Sequence, residues 1–80
     1  MGIGQRLKQA RARTAMRQVD LTQQAGVGLR TIRQIEQIDF EPRVATARKL
    51  ATALGVRVEW LDFGIEPMTE TAEIEEEKSS

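Results

Sequence analysis

The chain has 80 residues, of which 40% are hydrophobic and 30% are charged. A chain this short supports one hydrophobic core, so we expect one small globular domain. It contains no cysteine and no histidine, which argues against a disulfide framework, thiolate metal sites and histidine acid–base chemistry. There is also no apolar stretch of membrane-spanning length and no signal-peptide pattern. We therefore expect a cytoplasmic protein with no membrane partner, no cofactor, no metal and no evident small-molecule substrate.

The net charge of zero conceals a division of charge along the chain. Residues 1–57 carry seven more basic than acidic side chains, and residues 58–80 carry seven more acidic than basic ones. A basic folded part followed by an acidic segment is typical of proteins that attract a polyanion. Small proteins also separate their charges for solubility alone, so charge by itself leaves both interpretations open.

Apolar residues recur at steps of three and four, and no segment alternates as a strand does, which predicts an all-α fold. The first helix is predicted over residues 3–15, with Arg6 on its solvated surface. The second is predicted over residues 18–25 and ends at Gly26, since glycine readily adopts the left-handed conformation that terminates a helix. The third, over residues 29–37, buries Ile32 and Ile35.

The second half of the chain continues the helical pattern. Residues 38–42 form a predicted loop that contains Pro42, and helices follow over residues 44–54 and 58–63. The whole is a compact five-helix bundle with a domain over residues 1–65 and an acidic, flexible tail over residues 66–80. The acidic run Glu73 to Glu77 is interpreted as a solvated tail, or alternatively as a segment that shields the basic face.

The pair of short helices around Gly26 carries the functional signal. A glycine turn lets two short helices cross steeply, so that the second projects one face away from the core. Such a helix fits the major groove of B-form DNA, where arginine pairs with guanine and glutamine with adenine. The outward face of the third helix carries Arg30, Arg33 and Gln34, with Thr31 beside them. The sequence therefore predicts a helix-turn-helix that binds double-stranded DNA.

At these residues the chain resembles the lambda-repressor-like helix-turn-helix family, also called the Cro or XRE family. The resemblance runs from about Ile3 to Phe63 and depends on the order and spacing of its elements. Those elements are Met16-Arg17-Gln18, Leu21, Ala25-Gly26-Val27, Thr31-Ile32, Ile35-Glu36, Pro42 and the run Ala47 to Val56. The chain departs from the family pattern at Thr22, at Gly28 in place of the usual Ser or Thr cap, and at Gln37-Ile38-Asp39 after Glu36.

The resemblance implies roles for individual residues. It implies phosphate contacts by Arg17, Gln18 and Arg43, and a structural ion pair between Arg11 and Glu36. Positions that face bases or flanking phosphates are Leu29, Arg30, Thr31, Arg33 and Gln34, and Leu29 is suited to a thymine methyl group. It also implies a homodimer on a palindromic operator, for which the expected interface is Trp60, Leu61, Phe63 and Ile65.

Two interpretations of function remain beside a repressor that binds DNA through this helix. One is an antitoxin-like or antirepressor module whose scaffold binds another protein, for which Trp60, Phe63 and the tail matter more than Arg30 and Gln34. If no partner binds this region, Trp60, Phe63, Ile65 and Met68 alternatively only cap the small core. An enzyme is disfavoured, since no pair of carboxylates is spaced for acid–base catalysis and no glycine-rich phosphate loop is present.

Overall fold

The computed structural model describes residues 2–70 of the chain. In this part the protein consists of five α-helices, and no residue of it lies in a β-strand. The all-α prediction is confirmed. In chain order the helices are α1 (Ile3–Arg13), α2 (Gln18–Ala25), α3 (Leu29–Ile38), α4 (Val44–Leu54) and α5 (Val58–Phe63).

The five helices enclose a single hydrophobic core built mainly from aliphatic side chains. α1 packs against α3 and α5, α2 packs against α3 and α4, and α4 packs against α5. Every helix contributes at least one core side chain, which explains how such short helices remain folded. The side chains with almost no solvent exposure are Leu7, Leu21, Ile32, Ile35, Leu50, Leu54 and Leu61.

Two helix boundaries differ from the sequence-based expectation. α1 ends at Arg13 rather than at residue 15, and the following turn places Ala15 at a φ of 56°, outside the right-handed helical region. α3 extends one residue further than predicted, to Ile38. It ends where Asp39 adopts the left-handed conformation at a φ of 53°. This conformation is more accessible to Asp than to most residues, because its short polar side chain bonds locally.

The first turn of α1 packs directly against the end of α3. Asp39 Oδ1 accepts a hydrogen bond of 2.8 Å from the backbone N–H of Gly4. It thereby satisfies one of the free donors at the start of α1. A Cβ atom at Gly4 would lie 2.5 Å from the carbonyl oxygen of Ile35. Glycine at this position therefore allows the two helices to approach closely.

Arg6 is buried, and the expectation that it lies on the solvated surface is wrong. It is 8% exposed. Its Nε donates to the carbonyl oxygen of Leu61 at 2.8 Å, and its Nη2 donates to that of Asp62 at 3.0 Å. The last carbonyls of a helix lack partners within the helix, so a guanidinium at this place satisfies them and complements the helix dipole. Arg6 thus fixes α1 to the end of α5.

The chain after α5 folds back onto the domain. The N–H of Arg57 donates to the carbonyl oxygen of Met68 at 2.8 Å, and the Met68 side chain packs against the core. The chain after α5 thus contacts the domain as far as Met68. The acidic run Glu73 to Glu77 lies outside the described residues.

Candidate nucleic-acid interface

The turn between α2 and α3 is set by a left-handed glycine. Gly26 has a φ of 70°, and its N–H donates to the carbonyl oxygen of Thr22 at 2.9 Å. Residues other than glycine adopt this left-handed backbone conformation only with strain. Val27 is buried in the corner, and α3 begins directly after Gly28. At this short turn the chain changes direction, so α3 does not continue along the axis of α2.

α3 has one buried face and one exposed face. Ile32 and Ile35 are fully buried. On the opposite side Arg30 and Arg33 are exposed, and Gln34 is partly exposed. The other two residues expected to face DNA, Leu29 and Thr31, are also partly exposed. A helix with 3.6 residues per turn places residues 30, 33 and 34 side by side, so these three polar groups form one surface.

Three helices meet at the Glu36 carboxylate, which holds α3 in place. Arg11 Nε donates to Glu36 Oε2 at 2.6 Å, and Arg11 Nη2 donates to Glu36 Oε1 at 2.8 Å. The Nε2 atom of Gln18 donates to the same Oε1 at 3.0 Å. The Glu36 side chain is only 2% exposed. A buried carboxylate must be paired to be tolerated, and these contacts supply the pairing.

The three residues expected at phosphates differ in their surroundings. Arg43 precedes α4 and is exposed. Arg17 is exposed but contacts Asp20, with Nε–Oδ2 and Nη2–Oδ1 distances of 3.0 and 3.1 Å. Gln18 directs its amide N–H at Glu36, which sequence reasoning did not anticipate. That contact orients α2 against α3.

The Arg17–Asp20 pair shifts the protonation equilibria of both groups. Hydrogen bonds from the Arg17 side chain and from its backbone N–H lower the pKa of Asp20 below its usual value. The same side-chain bond, together with the charge of Asp20, raises the pKa of Arg17. Both groups are exposed and salt screens them, so the pair contributes little to stability. As a consequence, the Asp20 carboxylate competes with a DNA phosphate for the Arg17 guanidinium.

Only part of the expected dimer interface is accessible in the monomer. Trp60 and Leu61 are 3% and 0% exposed and belong to the core. Phe63 and Ile65 are 69% and 54% exposed. Trp60 and Leu61 lie inside α5, whereas Phe63 is its last residue and Ile65 follows its C-cap, Gly64.

Two further exposed apolar side chains, Ile38 and Phe40, were not singled out from the sequence. They are 70% and 45% exposed. Ile38 is the last residue of α3 and Phe40 follows it, on either side of Asp39, which contacts the start of α1. Arg6, in the same first turns of α1, contacts the end of α5. The ends of α3 and α5 therefore lie at one end of the bundle, and their exposed apolar residues share that region.

The fold and this exposed helix define a helix-turn-helix domain. The family model for helix-turn-helix domains of the Cro/C1 (XRE) type matches residues 7–61. The protein therefore belongs to this family of DNA-binding, non-catalytic domains. No curated protein matches the chain.

None of the helices within residues 2–70 is long and apolar enough to cross a membrane. Within the same range, no three acidic side chains come together in a way that would hold a metal ion.

Proposed function

We propose that this protein is a sequence-specific transcriptional regulator, acting as a repressor, that inserts α3 into the major groove of DNA. The observation that carries the proposal is the division of α3 into a fully buried face, Ile32 and Ile35, and an exposed face with Arg30, Arg33 and Gln34. Arginine and glutamine form paired hydrogen bonds with guanine and adenine edges. The cytoplasm is the compartment in which such a regulator would act.

The phosphate contacts proposed for this interface come from residues at the edges of the recognition helix. Arg43 is exposed at the start of α4, and Arg17 is exposed at the start of α2. Leu29 and Thr31 complete the proposed base-facing set. Arg11 and Glu36 act as the structural ion pair that holds α3, as their short contacts support. Gln18 donates one N–H of its side-chain amide to Glu36, so the second N–H of that amide, or its backbone N–H, is the donor available to a phosphate.

The test of this proposal is selection of bound sequences from a random duplex pool. The wild-type protein should enrich one motif, and the double variant Arg30→Ala, Gln34→Ala should enrich none while it unfolds at the same urea concentration. The exposed Gln23 and Lys8, which lie outside α3, provide a matched double alanine control that should retain the motif. If the wild-type protein enriches no motif, sequence-specific regulation is contradicted.

We further propose that the protein binds as a homodimer through the exposed apolar end of the bundle, around Phe63 and Ile65. A C2 dimer places two copies of α3 on half-sites about 34 Å apart, which requires a palindromic operator. Phe63→Glu should make the protein monomeric in sedimentation experiments, because the patch would then bury an unpaired charge. Ala12→Glu places the same charge at an exposed position of α1 and should leave the dimer intact. A monomeric wild-type protein at high micromolar concentration would contradict this interface.

The same apolar end is also what an antitoxin-like or antirepressor module would present to a different protein. The two functions separate with the variants above. A repressor should no longer bind its operator when Arg30 and Gln34 are replaced. A protein-interaction module should no longer bind its partner when Phe63 is replaced, and substitutions on α3 should leave that binding unchanged.

A further inference from the structure

A surface groove follows the outer side of α4 and continues toward the end of the described chain. One part lies between α2 and α4 and is lined by Gln24, Ala25, Arg48, Lys49, Thr52 and Ala53. A second part shares Arg48 and Thr52 with the first and reaches Glu70. The two parts therefore adjoin along the row that Arg48 and Thr52, one helical turn apart, form on α4. No residue of α3 lines either part.

The charge of the groove differs between its two ends. The part between α2 and α4 contains Arg48 and Lys49 and no acidic residue. Among the described residues, no carboxylate lies within ion-pair distance of Arg48 or Lys49. The other end contains Glu59 and Glu70, together with Arg57. Arg57 Nη2 already lies 3.8 Å from Glu59 Oε1. An acidic ligand would therefore favour the end between α2 and α4.

The chain itself supplies a ligand of the required chemistry at the mouth of the groove. Residue 70 is the last one described, and the next seven residues read TAEIEEE. They contain four glutamates and one large apolar residue, Ile74. An extended chain spans about 3.3 Å per residue, so Ile74 can lie about 13 Å from Glu70. Arg48 and Thr52 border both the part that contains Glu70 and the part between α2 and α4, so a segment that starts at Glu70 has to cross only this row to enter the second part.

We propose that residues 71–77 dock in the groove between α2 and α4 of the same molecule. Their glutamates would pair with Arg48 and Lys49, and Ile74 would cover the apolar floor formed by Ala25 and Ala53. The occupied groove would remove two positive charges from the field of the basic domain and leave α3 accessible. The docking requires neither DNA nor a dimer. The tail can therefore fail to dock in a protein that binds its operator, and it can dock in a protein that does not.

The absence of cysteine from the chain makes disulfide trapping a direct test. A variant with Thr52→Cys and Ile74→Cys is oxidised mildly at low micromolar concentration and low salt, and the rate of the intramolecular disulfide is measured. The matched control carries the same two cysteines and has Glu73, Glu75, Glu76 and Glu77 all replaced by Gln. We expect the acidic tail to form the disulfide about fivefold faster than the neutral tail, the size of effect that two exposed ion pairs give.

Two further variants test where the tail docks, and the form of the disulfide product tests whether it docks on its own molecule. Moving the first cysteine from Thr52 to Gln9, an exposed position on α1, should remove the advantage of the acidic tail. Replacing Arg48 and Lys49 by Gln should remove it as well. Equal rates for the acidic and neutral tails would overturn the proposal. A disulfide-linked dimer as the main product would also overturn it, since the groove would then accept the tail of a second copy.

Discussion

The Glu36 carboxylate on α3 accepts both of its shortest hydrogen bonds from Arg11 on α1, at 2.6 and 2.8 Å. α3 is the helix proposed to read DNA, so this pair connects the stability of the domain to the orientation of its interface. The Arg11 side chain is 19% exposed and that of Glu36 is 2% exposed. The two charges therefore interact away from bulk solvent.

Replacing Arg11 by Met should destabilise the domain by about 3 kcal/mol, because it leaves a buried carboxylate without its cation. Urea unfolding at neutral pH measures the loss. The double variant Arg11→Met, Glu36→Leu should lose less than the two single variants together, since no charge then remains buried. A loss below about 1 kcal/mol for Arg11→Met would show that the contact is no stronger than a surface pair.

Gly4→Ala should destabilise the domain by about 2 kcal/mol, the usual range for forcing an extra carbon into a packed contact. The added Cβ would lie 2.5 Å from the carbonyl oxygen of Ile35 and would push α1 from α3. Gly28 is a matched control, since nothing lies within 4 Å of a Cβ added there. Gly28→Ser should raise the melting temperature slightly by capping α3. Equal effects of both substitutions would contradict the close approach of α1 and α3.

Glu41 should make the domain relatively more stable in acid. A hydrogen bond to Asp62, burial and the charge of Asp62 raise the pKa of Glu41, while Arg6 opposes this. Asp62 Oδ1 is buried and has no hydrogen-bond partner when both carboxylates are ionised. A proton on Glu41 provides that partner. Because the folded pKa is raised, this contribution is complete below the ordinary pKa of glutamate and is lost as the pH rises through the raised value.

Glu41→Gln is the variant that tests this dependence. Its neutral amide donates to Asp62 at every pH, so the variant should gain stability over wild type as the pH rises. Urea midpoints between about pH 4 and pH 7 measure the difference, which should grow toward the neutral end. Glu66→Gln removes an exposed carboxylate and serves as the control. Parallel curves for wild type and Glu41→Gln would show that Glu41 and Asp62 do not share a proton.

Asp20→Asn should strengthen DNA binding at low salt by about tenfold, because it frees Arg17 for a phosphate and removes a negative charge at the proposed interface. Asparagine still accepts a hydrogen bond from the Arg17 N–H, so α2 should keep its start. Fluorescence anisotropy over a salt series measures affinity, and the salt slope should steepen by about one. Glu59→Gln removes one exposed charge on α5. The same gain for both variants would mean that net charge alone is responsible.

Much of the fold, and the division of α3 into a buried and an exposed face, was predictable because both depend on local sequence. The 3.6-residue period places Ile32 and Ile35 opposite Arg30 and Arg33 whatever the rest of the chain does. α2 ends at Gly26 because the turn requires a left-handed backbone, here a φ of 70°, which glycine adopts without strain. The boundary of α1 was placed two residues too far. Its end depends on the left-handed Ala15, a residue whose type does not signal a stop.

The sequence by itself determined which residues form helices and which face of α3 is polar, since both follow from backbone geometry over a few residues. The tertiary structure decided contacts between residues far apart in the chain. Arg6 reaches the end of α5 across 55 positions, Asp39 reaches Gly4 across 35, and Gln18 reaches Glu36 across 18. Such contacts depend on how the helices cross, and many arrangements of the same amphipathic helices satisfy the same periodicity.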